Sequence, residues 1–230
     1  MRVGIIAEGR GDLAVIKNVV KGCLGVEWRH ITCLRPEYSL DQTDQHKQSE
    51  AQFSNWGHVK AECQDRSRID EFLDSPLAEH RVVVIHIDTD VAEEFGFDVA
   101  RPDAEPHDEY VQTLCERVSD KLHEWLGPDI DRELLSYAIA VEQTDAWVLT
   151  LYNSKLRKQT SVHRNPKKVL NDELRRSRKD HKKLFQLSAF KRYDELTRDF
   201  RKLKKLNKCA EQNLSLRRFL DELERWRPSD

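Results

Sequence analysis

Acidic residues stand at three places where apolar segments of the sequence end. Glu8 follows the run RVGIIA, and Asp88 and Asp90 follow the run VVVIHI. Glu142 and Asp145 come after a third apolar run, LLSYAIAV. Carboxylates gathered in one place repel one another unless they are protonated or bind cations, and Mg²⁺ prefers oxygen ligands. These residue types therefore predict a metal site, provided that the fold brings the three places together.

The segments that end on these acids have the patterns of β-strands. RVVVIHI is a continuous β-branched run, which is typical of a strand buried on both faces. RVGIIA leads through the glycine-rich turn EGRGD into LAVIKNVVKGCLG, whose apolar residues recur at helical spacing. HITCL and LLSYAIAVE are further apolar runs of strand length. The alternation of strands and helices predicts an α/β fold with a parallel, Rossmann-like sheet flanked by helices.

A parallel sheet would bring the three acidic places to one rim, because all of its strands end at the same edge. Asp88 and Asp90 are two residues apart, so both side chains face one site if the extended conformation persists beyond the strand. His86 has the same spacing from Asp88, and we expect a packed or supporting histidine here in preference to a catalytic one. Asp12, taken alone, fits a helix cap better than a metal ligand.

The remainder of the chain is mostly helical in pattern. Helices are expected from near Gly57 to about Leu73 and over DEYVQTLCERVSDKLHEWLG, whereas residues 35–56 are polar and aperiodic and indicate no element. From about residue 144 the sequence is almost wholly helical, in the segments DAWVLTLYNSKL, NPKKVLNDELRRSRK, LSAFKRYDELTRDFRKLKKL and LSLRRFLDELERW. Pro166 marks one helix start, and Ser215 is expected to help cap the last helix.

Charge divides the chain in two. Residues 1–150 carry 15 lysines and arginines against 30 acidic residues, whereas residues 151–230 carry 24 against 11. The formal net charges are therefore −15 and +13. We expect residues 1–150 to form a catalytic α/β core and residues 151–230 a basic helical extension packed on it. This separation suits a metal-dependent enzyme that acts on a polyanion, although paired surface charges give the same totals.

The basic residues are densest between Lys155 and Lys208, where 20 lysines and arginines stand against six acidic residues. Such a segment can neutralise phosphates without reading a base sequence. Its densest cluster predicts nucleic-acid contacts by four residues, Arg175, Arg176, Arg178 and Lys179. A solvated helical face is the alternative interpretation of this cluster.

Cysteine and hydropathy patterns argue against other classes of protein. The five cysteines form no CxxC pair, which predicts reduced thiols in the cytoplasm and neither a disulfide framework nor a zinc ribbon. Four residues of the types that bind zinc are His30, Cys33, His58 and Cys63, but their spacings match no familiar zinc finger. The sequence has no run of 18 apolar residues and no pattern of a signal peptide, so a soluble cytoplasmic protein is expected.

Two motifs in this order resemble the Toprim fold of topoisomerases, primases and the overcoming-lysogenization-defect nucleases. IIAEGRGD supplies an acid after the first strand, and VVVIHIDTD supplies a DxD pair after a later one. EQTDAWVL, NPKKVL and SLRRFLDEL then resemble later motifs of small stand-alone Toprim-like bacterial proteins. The chain departs from topoisomerases and primases in lacking the glycine that often follows DxD, the primase zinc module and the topoisomerase tyrosine domain. The resemblance therefore implies neither of those two activities.

The resemblance implies a nuclease that uses Mg²⁺ or Mn²⁺, with two ions that activate a water and steady the leaving oxygen. The metal ligands that it implies are carboxylates from all three acidic places, namely Glu8, Asp12, Asp88, Asp90 and either Glu142 or Asp145. Glu8 would also act as general acid or base. Lys167 or Lys168 would stabilise charge on the phosphate, and a solvated helix start is the alternative for these lysines.

Two functions from different classes remain open on this basis. The first is a Mg²⁺-dependent nuclease of DNA or RNA, as an effector of bacterial anti-phage defence that works with an ATPase or another defence protein. The second is a non-catalytic module that binds nucleic acid or a partner protein and keeps the acidic rim for structure or nucleotide binding. Metal-dependent cleavage by the purified protein distinguishes the two.

Overall fold

Four parallel strands form one sheet at the centre of the structure. This computed structural model describes residues 1–36, 56–76, 80–103, 107–152, 159–177 and 180–227. The sheet has the order β2-β1-β3-β4, and each neighbouring pair is parallel. The strands are β1 (Arg2–Ile6), β2 (Ile31–Arg35), β3 (Arg81–Asp88) and β4 (Leu135–Ala140). The predicted α/β class with a parallel sheet is therefore confirmed.

Helices connect the strands and form most of the chain after the sheet. Those between strands are α1 (Arg10–Leu24), α2 (Trp56–Asp65), α3 (Ser67–Leu73) and α4 (His107–Leu126). Those after β4 are α5 (Asp145–Tyr152), α6 (Pro166–Ser177), α7 (His181–Phe185), α8 (Ala189–Leu196), α9 (Leu203–Ala210) and α10 (Leu214–Glu224). Single 3₁₀ turns occur at Trp28–His30, Arg132–Leu134, Thr160–Val162 and Arg198–Arg201. Residues 37–55, where the sequence indicated no element, lie outside the described chain.

Strand β3 is buried on both faces, which explains its unbroken apolar sequence. Val82 and Val84 pack into the apolar core on the side of α1. Val83 and Ile85 pack into the core on the opposite side, beneath α2, α3 and α4. Because side chains alternate along a strand, the alternation continues to place His86 on the α1 side. The polar end of β3 is thereby directed toward α1.

The sheet reverses its winding between the two central strands. From β1 the chain crosses to β2 at one edge, whereas from β3 it crosses to β4 at the other edge. The connections from the carboxyl ends of β1 and β3 therefore diverge and leave a crevice between them, which is where open α/β sheets bind ligands. Glu8 follows β1 and Asp88 ends β3, so both acids lie at this crevice.

Several predicted elements differ in detail. The expected helix from Gly57 to Leu73 is two helices, because Arg66 adopts a left-handed backbone conformation with φ 58° and interrupts it. The Arg66 guanidinium donates to the carbonyl of Leu126 at 3.2 Å, which ties this break to the end of α4. The predicted helix LSAFKRYDELTRDFRKLKKL is divided into α8, a 3₁₀ turn and α9.

The start of α10 corrects the prediction for Ser215. Asn213 is the capping residue, and its Oδ1 accepts from the backbone amide of Leu216 at 2.9 Å. Ser215 lies inside the helix, where its hydroxyl donates to the same Asn213 oxygen and accepts from the indole of Trp147 at 2.8 Å. Pro166 is the first residue of α6, as expected from its fixed φ.

The basic C-terminal part packs directly on the sheet and on α1. Glu222 of α10 accepts hydrogen bonds from the hydroxyl of Ser136 at 2.9 Å and from the amide of Tyr137 at 2.8 Å, both in β4. On α1, a Cβ at Gly22 would lie 1.9 Å from the carbonyl oxygen of Phe200, so only glycine permits this approach. Helix α5 runs through residue 150, and the division of the chain at that residue stays a prediction.

The described residues can be compared with what the sequence indicated about membrane helices, cysteines and zinc. No helix in the part that the structure covers is long and apolar enough to cross a membrane. All five cysteines are free thiols. The hypothetical zinc set is not assembled, because the metal-ligand group found among the described residues contains none of its members, His30, Cys33, His58 and Cys63.

Candidate metal centre

Glu8 and Asp88 meet where the two central strands end. The backbone amide of Asp88 donates to Oε1 of Glu8 at 2.7 Å. This bond fixes the Glu8 carboxylate beside the end of β3, although the two residues are 80 positions apart. The convergence predicted from parallel strand ends is thus present for these two acids.

Asp12 and His86 join Asp88 in a compact group. One ligand atom from each of the three side chains can be chosen so that all lie within 4.8 Å of one another. Asp12 is in the first turn of α1, whereas the N-cap of that helix is Gly9. Asp12 therefore reaches the site from the first turn of α1, and the spacing of His86 and Asp88 along β3 directs both to the same side.

Thr144 holds Asp88 in place from the loop after β4. Its amide and its hydroxyl both donate to Oδ1 of Asp88, each at 2.9 Å. Nε2 of His86 lies 3.3 Å from the same oxygen and 2.7 Å from the Thr144 hydroxyl. All these contacts use Oδ1, so Oδ2 is the oxygen of Asp88 that is left for a ligand.

Asp145, the first residue of α5, is held from the C-terminal part of the chain. The phenol of Tyr193 in α8 donates to Oδ1 of Asp145 at 2.6 Å. The Tyr193 ring covers Gly11, where an added Cβ would lie 3.0 Å from the ring. Tyr193 thus connects α8, α5 and the first turn of α1.

The carboxylates in this group are crowded and poorly compensated. Burial and then the charge of Asp88 raise the pKa of Glu8 well above its ordinary value. The same two causes, in the same order, raise the pKa of Asp12 to about 6. Burial raises the pKa of Asp145 to about 6, although the hydrogen bond from Tyr193 acts against the rise. Burial is the largest cause in each case, and the charges of neighbouring carboxylates add to it.

His86 is fully buried within the same group. Burial acts to lower its pKa, but the hydrogen bond and charge of Asp88, with the charge of Asp12, outweigh it and leave the pKa raised. Its ring meets Trp147 edge to face at 6.5 Å between centroids. Nδ1 has no hydrogen-bond partner within the described chain. The contacts of His86 are those of a residue that supports Asp88.

Glu142 lies at the same rim but has a cationic partner. Arg101 donates to Oε1 of Glu142 at 2.6 Å and to Oε2 at 3.3 Å, so both carboxylate oxygens are engaged. The same guanidinium donates to the carbonyl oxygens of Thr89 at 3.3 Å and Asp90 at 2.9 Å. Of the two acids left open by the sequence, Asp145 is the better candidate ligand because Glu142 is already neutralised by Arg101.

Asp90 has a polar, uncharged partner, unlike Glu142 with its arginine. Strand β3 ends at Asp88, so the extended conformation does not persist to Asp90, which begins a turn. Oδ2 of Asp90 accepts from the side-chain amide of Gln143 at 2.7 Å. Burial raises the pKa of Asp90, while the bond from Gln143 acts against the rise. The charge of Asp90 also contributes to the raised pKa of Glu8, after burial and the charges of Asp88 and Asp12.

Four of the six predicted basic residues, Lys167, Lys168, Arg175 and Arg176, lie on α6. Lys167 and Lys168 are exposed at its first turn, and the charge of Lys167 lowers the pKa of Asp145. Arg175 lies 3.7 Å from Asp172, and Arg176 pairs with Glu173 at 3.0 Å, in both cases one turn earlier on the helix. The other two predicted nucleic-acid contacts, Arg178 and Lys179, are outside the described residues.

Sequence reasoning missed four residues that shape the site. Thr144 and Gln143 lie in the motif EQTDAWVL, where their position between two acids was the available signal. Tyr193 lies in the segment LSAFKRYDELTRDFRKLKKL, where nothing in the sequence relates it to Asp145. Arg101 lies between β3 and α4, outside any helix or strand, and shows no periodic signal. Its role depends on a contact across 41 residues.

The donors present fit a divalent cation. Asp12, His86 and Asp88 each bring one ligand atom within 4.8 Å of the others. Glu8 and Asp145 lie near this group, because burial and also the charges of Asp88 and Asp12 raise their pKa values. Carboxylate oxygens are the hard ligands that Mg²⁺ and Mn²⁺ prefer. Comparisons of the chain with protein families, with curated proteins and with solved structures found no match. A proposal for its function therefore rests on the fold and on this group of carboxylates.

Proposed function

We propose that this protein is a metal-dependent nuclease with a Toprim-like active site at the crevice between β1 and β3. The observation that carries the proposal is the group of poorly compensated carboxylates, Glu8, Asp12, Asp88 and Asp145, at the switch point of a parallel sheet. A structural role alone would favour cationic partners for these acids, as Glu142 has in Arg101. The Toprim-like motifs of the sequence support the same assignment.

Each residue of the group has a role that follows from its contacts. Asp88 and Asp12 would bind Mg²⁺ or Mn²⁺, with Asp145 as a further ligand, and bound ions would supply an activated water and stabilise the leaving oxygen. Thr144 fixes Oδ1 of Asp88, so the carboxylate cannot rotate away. Glu8 is held through Oε1, and its raised pKa suits a group that exchanges protons with the substrate.

The proposed substrate is nucleic acid, either DNA or RNA. The separation of charge between residues 1–150 and 151–230 supports it, because a polyanion needs both a cation-binding acidic centre and basic contacts. By the same resemblance, the protein would act in the cytoplasm as an effector of anti-phage defence, together with an ATPase or another defence protein. Five free thiols suit that reducing compartment.

The test is a cleavage assay with purified protein on labelled single-stranded DNA, double-stranded DNA and tRNA. Each substrate is incubated with Mg²⁺, with Mn²⁺ or with EDTA. The matched control is Asp88→Asn, which retains an oxygen to accept from Thr144 and loses the negative charge. We expect cleavage of at least one substrate that requires metal and is absent in the variant. Cleavage that survives EDTA or the Asp88→Asn substitution contradicts the proposal.

A non-catalytic binding module is the second candidate. It is favoured by the partners of Asp90 and Glu142, because Gln143 and Arg101 occupy two carboxylates that the resemblance assigned to metal. This function predicts that the wild-type protein binds nucleic acid or a nucleotide and that no metal produces cleavage. The same assay separates the two functions if binding of the uncut substrate to the protein is measured as well as cleavage.

A further inference from the structure

A row of basic side chains lies along one side of helix α1 and begins beside the carboxylates. Arg10, Lys17 and Lys21 are spaced by seven and four residues, which places them on the same side of a helix. At 1.5 Å per residue, the row extends for about 16 Å from its first to its last member. Arg10 is two residues after Glu8, so the row starts at the crevice.

Strand β2 adds a cation at the end of the row nearest the carboxylates. The carbonyl of Arg35 accepts from the amide of Ala7 at 3.1 Å, directly before Glu8 in the chain. Arg35, Arg10 and Lys17 all act electrostatically on the thiol of Cys33, whose pKa burial raises to about 11 against their opposing effect. Arg35 ends β2 and Arg10 begins α1, so both lie at the end of the sheet where Glu8 follows β1.

Trp28 marks the far end of the row. Its side chain is 39% exposed, the largest exposure among the tryptophans found on the described surface. The Nζ atoms of Lys17 and Lys21 lie 5.5 Å and 5.0 Å from its ring centroid, and the guanidinium of Arg201 lies 4.8 Å away. Arg201 reaches this place from the C-terminal part of the chain and also pairs with Asp194.

An exposed aromatic ring among several cations matches the chemistry of single-stranded nucleic acid. Such sites combine a positively charged track for the phosphates with aromatic rings on which unpaired bases stack. A duplex would present phosphates to the track but would keep its base faces inside the helix. What favours the row on α1 is the exposed ring of Trp28 beside Lys17 and Lys21.

We propose that Arg10, Lys17, Lys21, Arg35, Arg201 and Trp28 form a binding track for single-stranded DNA or RNA that leads to the carboxylate crevice. Phosphates contact the row on α1, and a base stacks against Trp28 at the far end. The delivery of the strand to a cleavage site rests on the proposed nuclease function, whereas binding by the track does not. The track thus identifies the substrate form of the site as a single strand.

The experiment measures binding without cleavage. Fluorescence anisotropy of a labelled single-stranded oligonucleotide is recorded in EDTA for the wild type, Lys17→Gln/Lys21→Gln, and Trp28→Ala. The matched control is Lys182→Gln/Lys183→Gln, which removes two exposed lysines of α7. We expect the α1 variant to bind on the order of tenfold more weakly. Its plot of log K against log salt should be less steep by about 1.4, because each of two lost phosphate contacts contributes roughly 0.7. The control should bind as the wild type does.

Trp28→Ala tests the aromatic part, with an expected loss on the order of tenfold for one stacked base. Trp28→Phe retains a ring and should recover part of the loss, which keeps the test valid if the alanine variant fails to fold. Equal losses in the α7 control, or no loss in the α1 variant, overturn the track. Equal affinity for the duplex, or preferential binding to anionic phospholipid vesicles over the oligonucleotide, overturns the proposed occupant. Binding through the track without metal-dependent cleavage contradicts the nuclease and leaves the track intact.

Discussion

The acidic rim has two parts, of which one neutralises its carboxylate with an arginine and the other does not. On one side, Arg101 donates to both oxygens of Glu142 and neutralises a buried carboxylate. In the crevice, Asp88 meets Thr144, His86 and the neighbouring acids, without an arginine or lysine in direct contact within the described chain. Both are carboxylates at the carboxyl ends of neighbouring strands, Asp88 at the end of β3 and Glu142 after β4. From this difference we expect a carboxylate with a cationic partner to be structural and one without such a partner to be left for a ligand.

This comparison predicts the largest effect at Asp88. Asp88→Asn keeps the acceptor for Thr144 and removes the charge that the proposed metal needs, so metal-dependent cleavage should fall below detection while the fold persists. Asp90→Asn should reduce cleavage as well. The measurements are initial rates of cleavage and far-ultraviolet circular dichroism. Full metal-dependent activity in either pure variant would show that the DxD pair was assigned wrongly.

Glu8→Gln should separate binding from chemistry. Glutamine keeps the oxygen that accepts from the amide of Asp88 but cannot exchange a proton. We expect a rate loss of at least ~10²-fold with normal folding, the size typical of a lost general acid or base. Nucleic-acid affinity in EDTA serves as the control and should stay unchanged. A glutamate with a purely structural role would instead give a small loss of stability and a near-normal rate.

The sequence was sufficient for the sheet and for part of the site. Apolar runs identified all four strands because buried parallel strands exclude polar residues, and strand ends necessarily meet at one rim. The sequence did not predict which side chains would contact the acids. Arg101 and Tyr193 reach Glu142 and Asp145 across 41 and 48 residues, and such contacts depend on packing that local periodicity does not encode.

The third prediction concerns the compensated side of the rim. Arg101→Gln leaves the buried Glu142 without its cation, and we expect the free energy of unfolding to fall by about 2 kcal/mol, less than for a fully buried pair because Arg101 is partly exposed. Urea denaturation in EDTA provides the measurement. Arg101→Gln/Glu142→Gln should recover part of the loss. Greater stabilisation of Arg101→Gln than of the wild type by Mg²⁺ would mean that Glu142 becomes a ligand when freed.

In the crevice, we expect the folded protein to lose stability as the pH rises. Asp145 has a folded-state pKa of about 6 against an ordinary 3.8, so its favourable contribution is complete below about pH 4 and is lost as the pH rises through 6. Asp145→Asn removes this loss. Relative to wild type in EDTA, the variant should gain roughly 1 to 3 kcal/mol between pH 4 and 7, since one pKa unit corresponds to ~1.4 kcal/mol.

Urea denaturation across this pH range tests the prediction, with Asp120→Asn on the exposed face of α4 as the matched control. The control should follow the wild-type curve. Mg²⁺ should stabilise the wild type more at pH 7 than at pH 4, because the cation competes with protons for the same carboxylates. Parallel curves for wild type and Asp145→Asn would show that Asp145 is not part of a crowded group.

The smallest effect is expected at the arginines of α6, although the sequence assigned them to nucleic-acid binding. Arg175 and Arg176 lie beside Asp172 and Glu173, so the turn has little net charge to offer a phosphate. Arg175→Gln/Arg176→Gln should therefore change the affinity for single-stranded oligonucleotide by less than about twofold, as exposed ion pairs contribute 0 to 1 kcal/mol. The salt slope should also stay near the wild-type value, in contrast to Lys17→Gln/Lys21→Gln, where about two phosphate contacts are lost. If instead the α6 variant lowers affinity and salt slope as much as the α1 variant does, the acidic neighbours do not neutralise these arginines, and the interface predicted from the sequence on α6 replaces the track on α1.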